Sequence, residues 1–112
     1  MTTTKDPTLP IREAAADFPE VAKGTSCNQS SFKAGTKSFL FIGPGRKGHG
    51  FKAMFKLRES MEQASAMADE QPERFEVGST GWVTARFTAE EPLPKKVWEK
   101  WLQESYDVSC GR

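Results

Sequence analysis

The chain has 112 residues with 16 Lys plus Arg against 15 Asp plus Glu, eight Phe and three Trp. That length suits one domain and excludes a multidomain enzyme of the usual kind, while a net charge of +1 excludes a uniformly polycationic, histone-like chain. Apolar runs of only a few residues and an amino terminus of Met-Thr-Thr-Thr-Lys-Asp argue against a membrane span or a signal peptide, so a cytoplasmic protein without membrane contact is expected.

A single domain over residues 1–112 is expected, with residues 1–7 as a flexible lead and a core that needs neither metal nor disulfide. Thr8 to Phe18 reads as a first helix, because Pro10 suits an early helical position and Ile11, Ala14, Ala15 and Phe18 share one face. Pro19 ends it. Residues 20–36 are rich in Ser, Gly, Asn and Thr and read as irregular, apart from a short strand at Ser31-Phe32-Lys33 and a turn at Ala34-Gly35-Thr36. Lys37 to Ile42 is a strand. Phe51 to Leu57 alternates with period two, placing Phe51, Ala53, Phe55 and Leu57 on one face and Lys52, Met54 and Lys56 on the other.

A second helix is expected from Ser60 to Glu70, where Ser60 and Gln63 have capping-box spacing and Pro72 closes the segment. Gly81 to Phe87 is another period-two strand, with Val83, Ala85 and Phe87 opposite Trp82, Thr84 and Arg86. Pro94 opens a third helix, whose Val97, Trp98, Trp101, Leu102 and Tyr106 form the widest apolar stripe in the chain. This order of elements implies an α+β fold with an antiparallel sheet and helices on one of its faces.

Charge is divided along the chain. Lys23, Lys33, Lys37, Arg46, Lys47, Lys52, Lys56 and Arg58 lie between Val21 and Arg58 without one acid among them. Residues 59–80 then carry Glu59, Glu62, Asp69, Glu70, Glu73 and Glu76 against Arg74. Such a division makes the central strands a cationic region that attracts phosphates. The plainer alternative is a solvated sheet whose lysines guard against edge aggregation.

Gly43-Pro44-Gly45-Arg46-Lys47-Gly48 matches G-x-G-x-x-G after a strand. A dinucleotide site needs a helix next, with its N-terminal amides on the pyrophosphate, whereas Phe51 to Leu57 alternates as a strand. The loop reads instead as a glycine-rich hairpin tip presenting Arg46, Lys47 and His49 to a polyanion, or as a plain solvent loop. Cys27 and His49 lack any residue to orient them as nucleophile and base, and Cys27 and Cys110 are too far apart to suggest a structural disulfide. One His and two separated Cys give no zinc spacing, and Asp69-Glu70 and Glu90-Glu91 read as ordinary surface charges. Trp82 beside Lys56 and Arg86 resembles surfaces that stack bases, against the commoner fate of a Trp packed beneath a helix.

Phe18-Pro19-Glu20-Val21, Ser31-Phe32-Lys33 with Phe39-Leu40-Phe41, Phe55-Lys56-Leu57, Gly81-Trp82-Val83 and Trp101-Leu102-Gln103-Glu104-Ser105-Tyr106-Asp107-Val108 carry a resemblance. In that order, over about four fifths of the chain, they resemble the MmcQ/YjbR family, small bacterial DNA-binding-like proteins with a CyaY-like fold. The resemblance implies an α+β domain with a curved antiparallel sheet, no known cofactor, and a nucleic-acid role inferred by analogy of fold. The frataxin likeness would suggest iron, but Glu13, Asp17 and Glu20 fall short of an acidic ridge. The expectation is therefore a non-catalytic domain that binds DNA weakly through phosphates, using Lys33, Lys37, Arg46, Lys47, Lys52, Lys56 and Arg86. The alternatives are a protein-interaction or self-associating domain, whose basic sheet meets an acidic partner or residues 59–80 of another copy, and a small-ligand site near Trp82.

Overall fold

The computed structural model describes residues 7–26, 29–45 and 50–110. Within them the chain runs α1 (Leu9–Ala16), β1 (Val21–Ser26), β2 (Gln29–Ala34), β3 (Lys37–Pro44), β4 (Phe51–Lys56), α2 (Met61–Glu70), β5 (Phe75–Val77), β6 (Trp82–Phe87) and α3 (Lys95–Ser109). The strands form one sheet in the order β1-β2-β3-β4-β6-β5, antiparallel at every step. β1 to β4 make a meander. α2 then carries the chain past the place of β6 to the far edge, and β6 returns to fill the gap between β4 and β5. The expected α+β class with helices against one sheet face is the observed one.

The segment read as irregular is instead ordered as a hairpin, in which Val21 to Ser26 pairs with Gln29 to Ala34 in unbroken register. Val-Ala-Lys-Gly-Thr-Ser has almost no alternation of its own, so its strand state comes from backbone pairing along the edge of β2. β5, only three residues long, likewise carries no period to declare a strand. The turn at Gly35-Thr36 is where it was expected, joining Ala34 to Lys37 as cross-strand partners. Before β1 the chain reverses at Glu20, a non-glycine residue held at φ 56.

One face of the sheet is sealed. Phe32, Leu40, Ile42, Ala53, Phe55, Val83, Ala85 and Phe75 are buried there, and α3 lays Trp98, Trp101, Leu102 and Tyr106 over them. Trp101 meets the rings of Phe55 and Phe75 edge-on at 5.8 and 6.1 Å, and its indole N–H donates to Gln63 Oε1 at 3.1 Å. At the other end of α3, Tyr106 stacks on Phe18 at 4.3 Å and donates its hydroxyl to the Pro19 carbonyl at 2.8 Å. Each such aromatic contributes roughly 1.5–3 kcal/mol by leaving water. The third helix is therefore the main element closing the core, as its stripe indicated.

Two polar contacts fix how α3 sits. A bulge in β3 shifts the β2 register between Phe32 and Lys33, leaving Phe39 without a partner on β2, and β3 and β4 stop pairing beyond Leu40 and Phe55. Ser105 fills that split, accepting from the Lys56 amide at 2.8 Å and donating to the Phe39 carbonyl. One hydroxyl thus satisfies two backbone groups that the ladder leaves open. The expected Ser60–Gln63 capping box does not form, because both side chains are engaged by α3. Glu104 Oε2 accepts from the amides of Arg58 and Ser60, and Oε1 accepts from the Ser60 hydroxyl at 2.6 Å. α2 is thereby capped by a carboxylate from another helix. Burial pushes the Glu104 carboxyl up, but the bonds from the Ser60 hydroxyl and from the Ser60, Arg58 and Glu59 amides outweigh it and hold it below the ordinary glutamate range.

Candidate nucleic-acid interface

The opposite face of the sheet carries no helix among the described residues. Because side chains alternate along each strand, the register places Ser31 and Lys33 of β2, Phe41 of β3, Lys52, Met54 and Lys56 of β4, Trp82, Thr84 and Arg86 of β6, and Glu76 of β5 on it. Lys52 stands directly across from Arg86, and Lys56 directly across from Trp82. The two lysines that sequence alternation set on one face of β4 are thus joined by cations from two further strands. Glu76 is the one acid on the strands of this face among the described residues.

Each of the expected cations has a definite place. Lys33 is exposed on β2, and Lys52 and Lys56 are half-exposed on β4. Lys37 does not follow the same parity: it pairs with Ala34, whose side chain is buried, and stands exposed at the end of the sheet. Arg86 is engaged rather than free, with Nη2 bound to Glu76 at 2.9 Å and Nη1 buried without a hydrogen-bond partner. Its side chain is 20% exposed, so it adds positive charge to the face mainly through what Glu76 leaves uncancelled. Arg46, Lys47 and His49, expected at the hairpin tip, lie outside the described residues, as does Cys27.

The glycine motif is confirmed as part of a hairpin rather than a phosphate cradle at a helix. Gly43 and Pro44 belong to β3, β4 begins at Phe51, and the Gly45 amide donates to the Gly50 carbonyl at 3.1 Å. Gly50 has φ 72, and a Cβ there would meet the Phe87 carbonyl at 2.8 Å. Close approach to β6 therefore requires glycine at this strand start. Gly81 serves the same need at the other end of β6, with φ 95 and its carbonyl accepting from the Leu57 amide at 2.8 Å.

Between the cations lies a half-buried apolar strip. The Trp82 and Phe41 ring centroids are 5.4 Å apart, and the Lys56 ammonium stands 5.6 Å from the Trp82 centroid. Phe41, Met54 and Trp82 line an open groove of about 510 Å³ with Lys37, Ser38 and Lys56, walled at one end by Val108 and Ser109 of α3. Trp82 has escaped the commoner fate of a core tryptophan. Phe41 is the member of this strip that sequence reasoning missed, because Lys-Ser-Phe-Leu-Phe-Ile is apolar on both sides and shows no alternation to separate its faces.

No three His, Cys, Asp or Glu side chains gather to hold a metal ion among the described residues, and no helix there is long and apolar enough to cross a membrane. Fold and site together define a small α+β domain with one helix-sealed sheet face and one open basic face. The chain belongs to the YjbR family, whose model matches residues 16–108. No curated protein and no solved structure matches it.

Proposed function

We propose that this protein is a non-catalytic, cytoplasmic domain that binds DNA weakly by gripping phosphates on the open sheet face. The observation that carries this reading is the gathering of Lys33, Lys52, Lys56 and Arg86 from three strands on one uncovered surface, opposed on its strands, among the described residues, only by Glu76. Lys37 extends the cationic surface at the sheet end, and the sequence supplies Arg46 and Lys47 in the connection between β3 and β4. Flexible ammonium groups on an open sheet face suit backbone phosphates, which position a nucleic acid without reading its bases.

Salt dependence tests this directly. Three to five phosphate contacts give an affinity that falls with salt at a log–log slope of about −2.7 to −4.5, with micromolar or weaker binding. Changing Arg46, Lys47, Lys52 and Lys56 to Glu together abolishes binding on every sequence alike while the thermal melt holds. Absence of any DNA retention near 20 mM salt, about the most permissive condition given the screening length, overturns the reading.

A second reading has its own support in the exposed acids Glu62, Asp69 and Glu70 of α2 and the adjacent Glu73. An acidic surface and a basic face on one chain suit self-association or an acidic protein partner. That reading predicts no DNA binding at low salt, and a self-association that the same four substitutions disrupt.

A further inference from the structure

We infer that the open face prefers single-stranded nucleic acid to duplex, with a base stacked on Trp82. This deepens the phosphate reading and rests on it, but it answers a feature that phosphates leave unexplained. A surface built only to hold phosphates has no use for an apolar floor. Here Phe41, Met54 and Trp82 form one on an uncovered face, in an open groove of about 510 Å³.

The floor and its rim match two different parts of one ligand. Lys37 and Lys56 stand at the groove, Lys52 lies further along β4, and Lys33 stands on β2, beyond β3. An occupant must therefore offer flat apolar faces linked by anions at short intervals. A duplex hides its base faces in the stack and meets the sheet with phosphates alone. A single strand exposes both parts, and stacking on an aromatic accepts any base because every base has a π-face. The Lys56 ammonium, 5.6 Å from the Trp82 ring centroid, marks the place a base takes. When the base enters, the long lysine stem lets that ammonium move to the phosphate beside it.

The fold also supplies a clean reporter. Trp98 and Trp101 of α3 are buried in the core, whereas Trp82 is half-exposed in the groove, so a stacked ligand perturbs the emission of Trp82. The full chain is titrated at low salt with an oligothymidylate of about ten nucleotides, within the usual site size of such surfaces, with a duplex of the same length and with heparin. The expected result is quenching of tryptophan emission by the single strand and an affinity about tenfold above that for duplex. Trp82→Ala lowers single-strand affinity by about tenfold or more and leaves duplex affinity unchanged, while Trp82→Phe retains most of it. The quench is read on the unaltered protein, so the test does not depend on a variant that folds. Equal affinity for single strand, duplex and heparin, without quenching, overturns the stacking inference and leaves the phosphate reading standing. Failure to bind any of the three overturns both.

Discussion

The two faces of the central sheet are made by the same strands and differ in what covers them. On the sealed face, Ala53, Phe55, Val83 and Ala85 are fully buried beneath α3. One residue along each strand, on the open face, Lys52, Met54, Lys56, Trp82, Thr84 and Arg86 are all partly exposed. The sealed face derives its strength from apolar area and a few satisfied polar contacts, and tolerates no unpaired charge. Among the described residues the open face carries Lys33, Lys52, Lys56 and Arg86, with Lys52 directly opposite Arg86 and Glu76 cancelling part of the charge. This arrangement costs folding energy through like-charge repulsion and leaves a partly uncompensated field. The apolar core and the basic surface are thus separated by a single step of the pleat.

Substitutions sharpen that separation. Trp101→Ala removes the ring wedged against Phe55 and Phe75 and leaves Gln63 Oε1 without its donor, so a loss of about 3–5 kcal/mol in denaturant unfolding is expected. A melt that barely moves breaks the claim that α3 closes the core. Salt-dependent binding measured below the transition keeps its slope.

Glu104→Gln gives a smaller loss, about 1–2 kcal/mol at neutral pH, because it removes the charge that receives the Arg58 and Ser60 donors at the start of α2. The native carboxyl is held below its ordinary range, so its contribution is present at pH above that range and disappears as the pH falls through the lowered native value. Unfolding followed from about pH 6 to 3 therefore declines less steeply in the variant than in the parent protein. Identical declines would show that the cap adds nothing beyond its geometry.

The smallest effect is expected on the open face. Glu76→Gln removes the acid bound to Arg86 and releases that guanidinium, raising nucleic-acid affinity by about two- to fivefold, in keeping with one weak exposed pair. The salt slope steepens by up to about one phosphate contact. Unchanged binding would place Arg86 outside the interface and confine it to Lys33, Lys52, Lys56 and the sheet end.

Much of this was legible in the residues. Period-two alternation in Phe51 to Leu57 and Gly81 to Phe87 separated the two faces of β4 and β6, because alternate side chains on a strand must point apart. The stripe of Trp98, Trp101, Leu102 and Tyr106 identified the closing helix for the same kind of local reason. The acid-free span from Val21 to Arg58 announced a cationic region.

Other features arise only when distant segments meet. β1 and β5 are strands because β2 and β6 offer them ladders, and their own residues carry too little pattern to declare it. Ser60 has capping-box spacing, yet its hydroxyl goes to a carboxylate 44 residues further on, since α3 brings a stronger acceptor to the same place. Lys37 leaves the parity of the basic face because of a bulge at Phe39 that no local alternation reveals. Phe41 joins Trp82 across β4 only through the order of the sheet. Local periodicity determined which side chains share a face; the register and the docking of α3, set by burial of the whole core, decided which face was sealed and which was left open to a ligand.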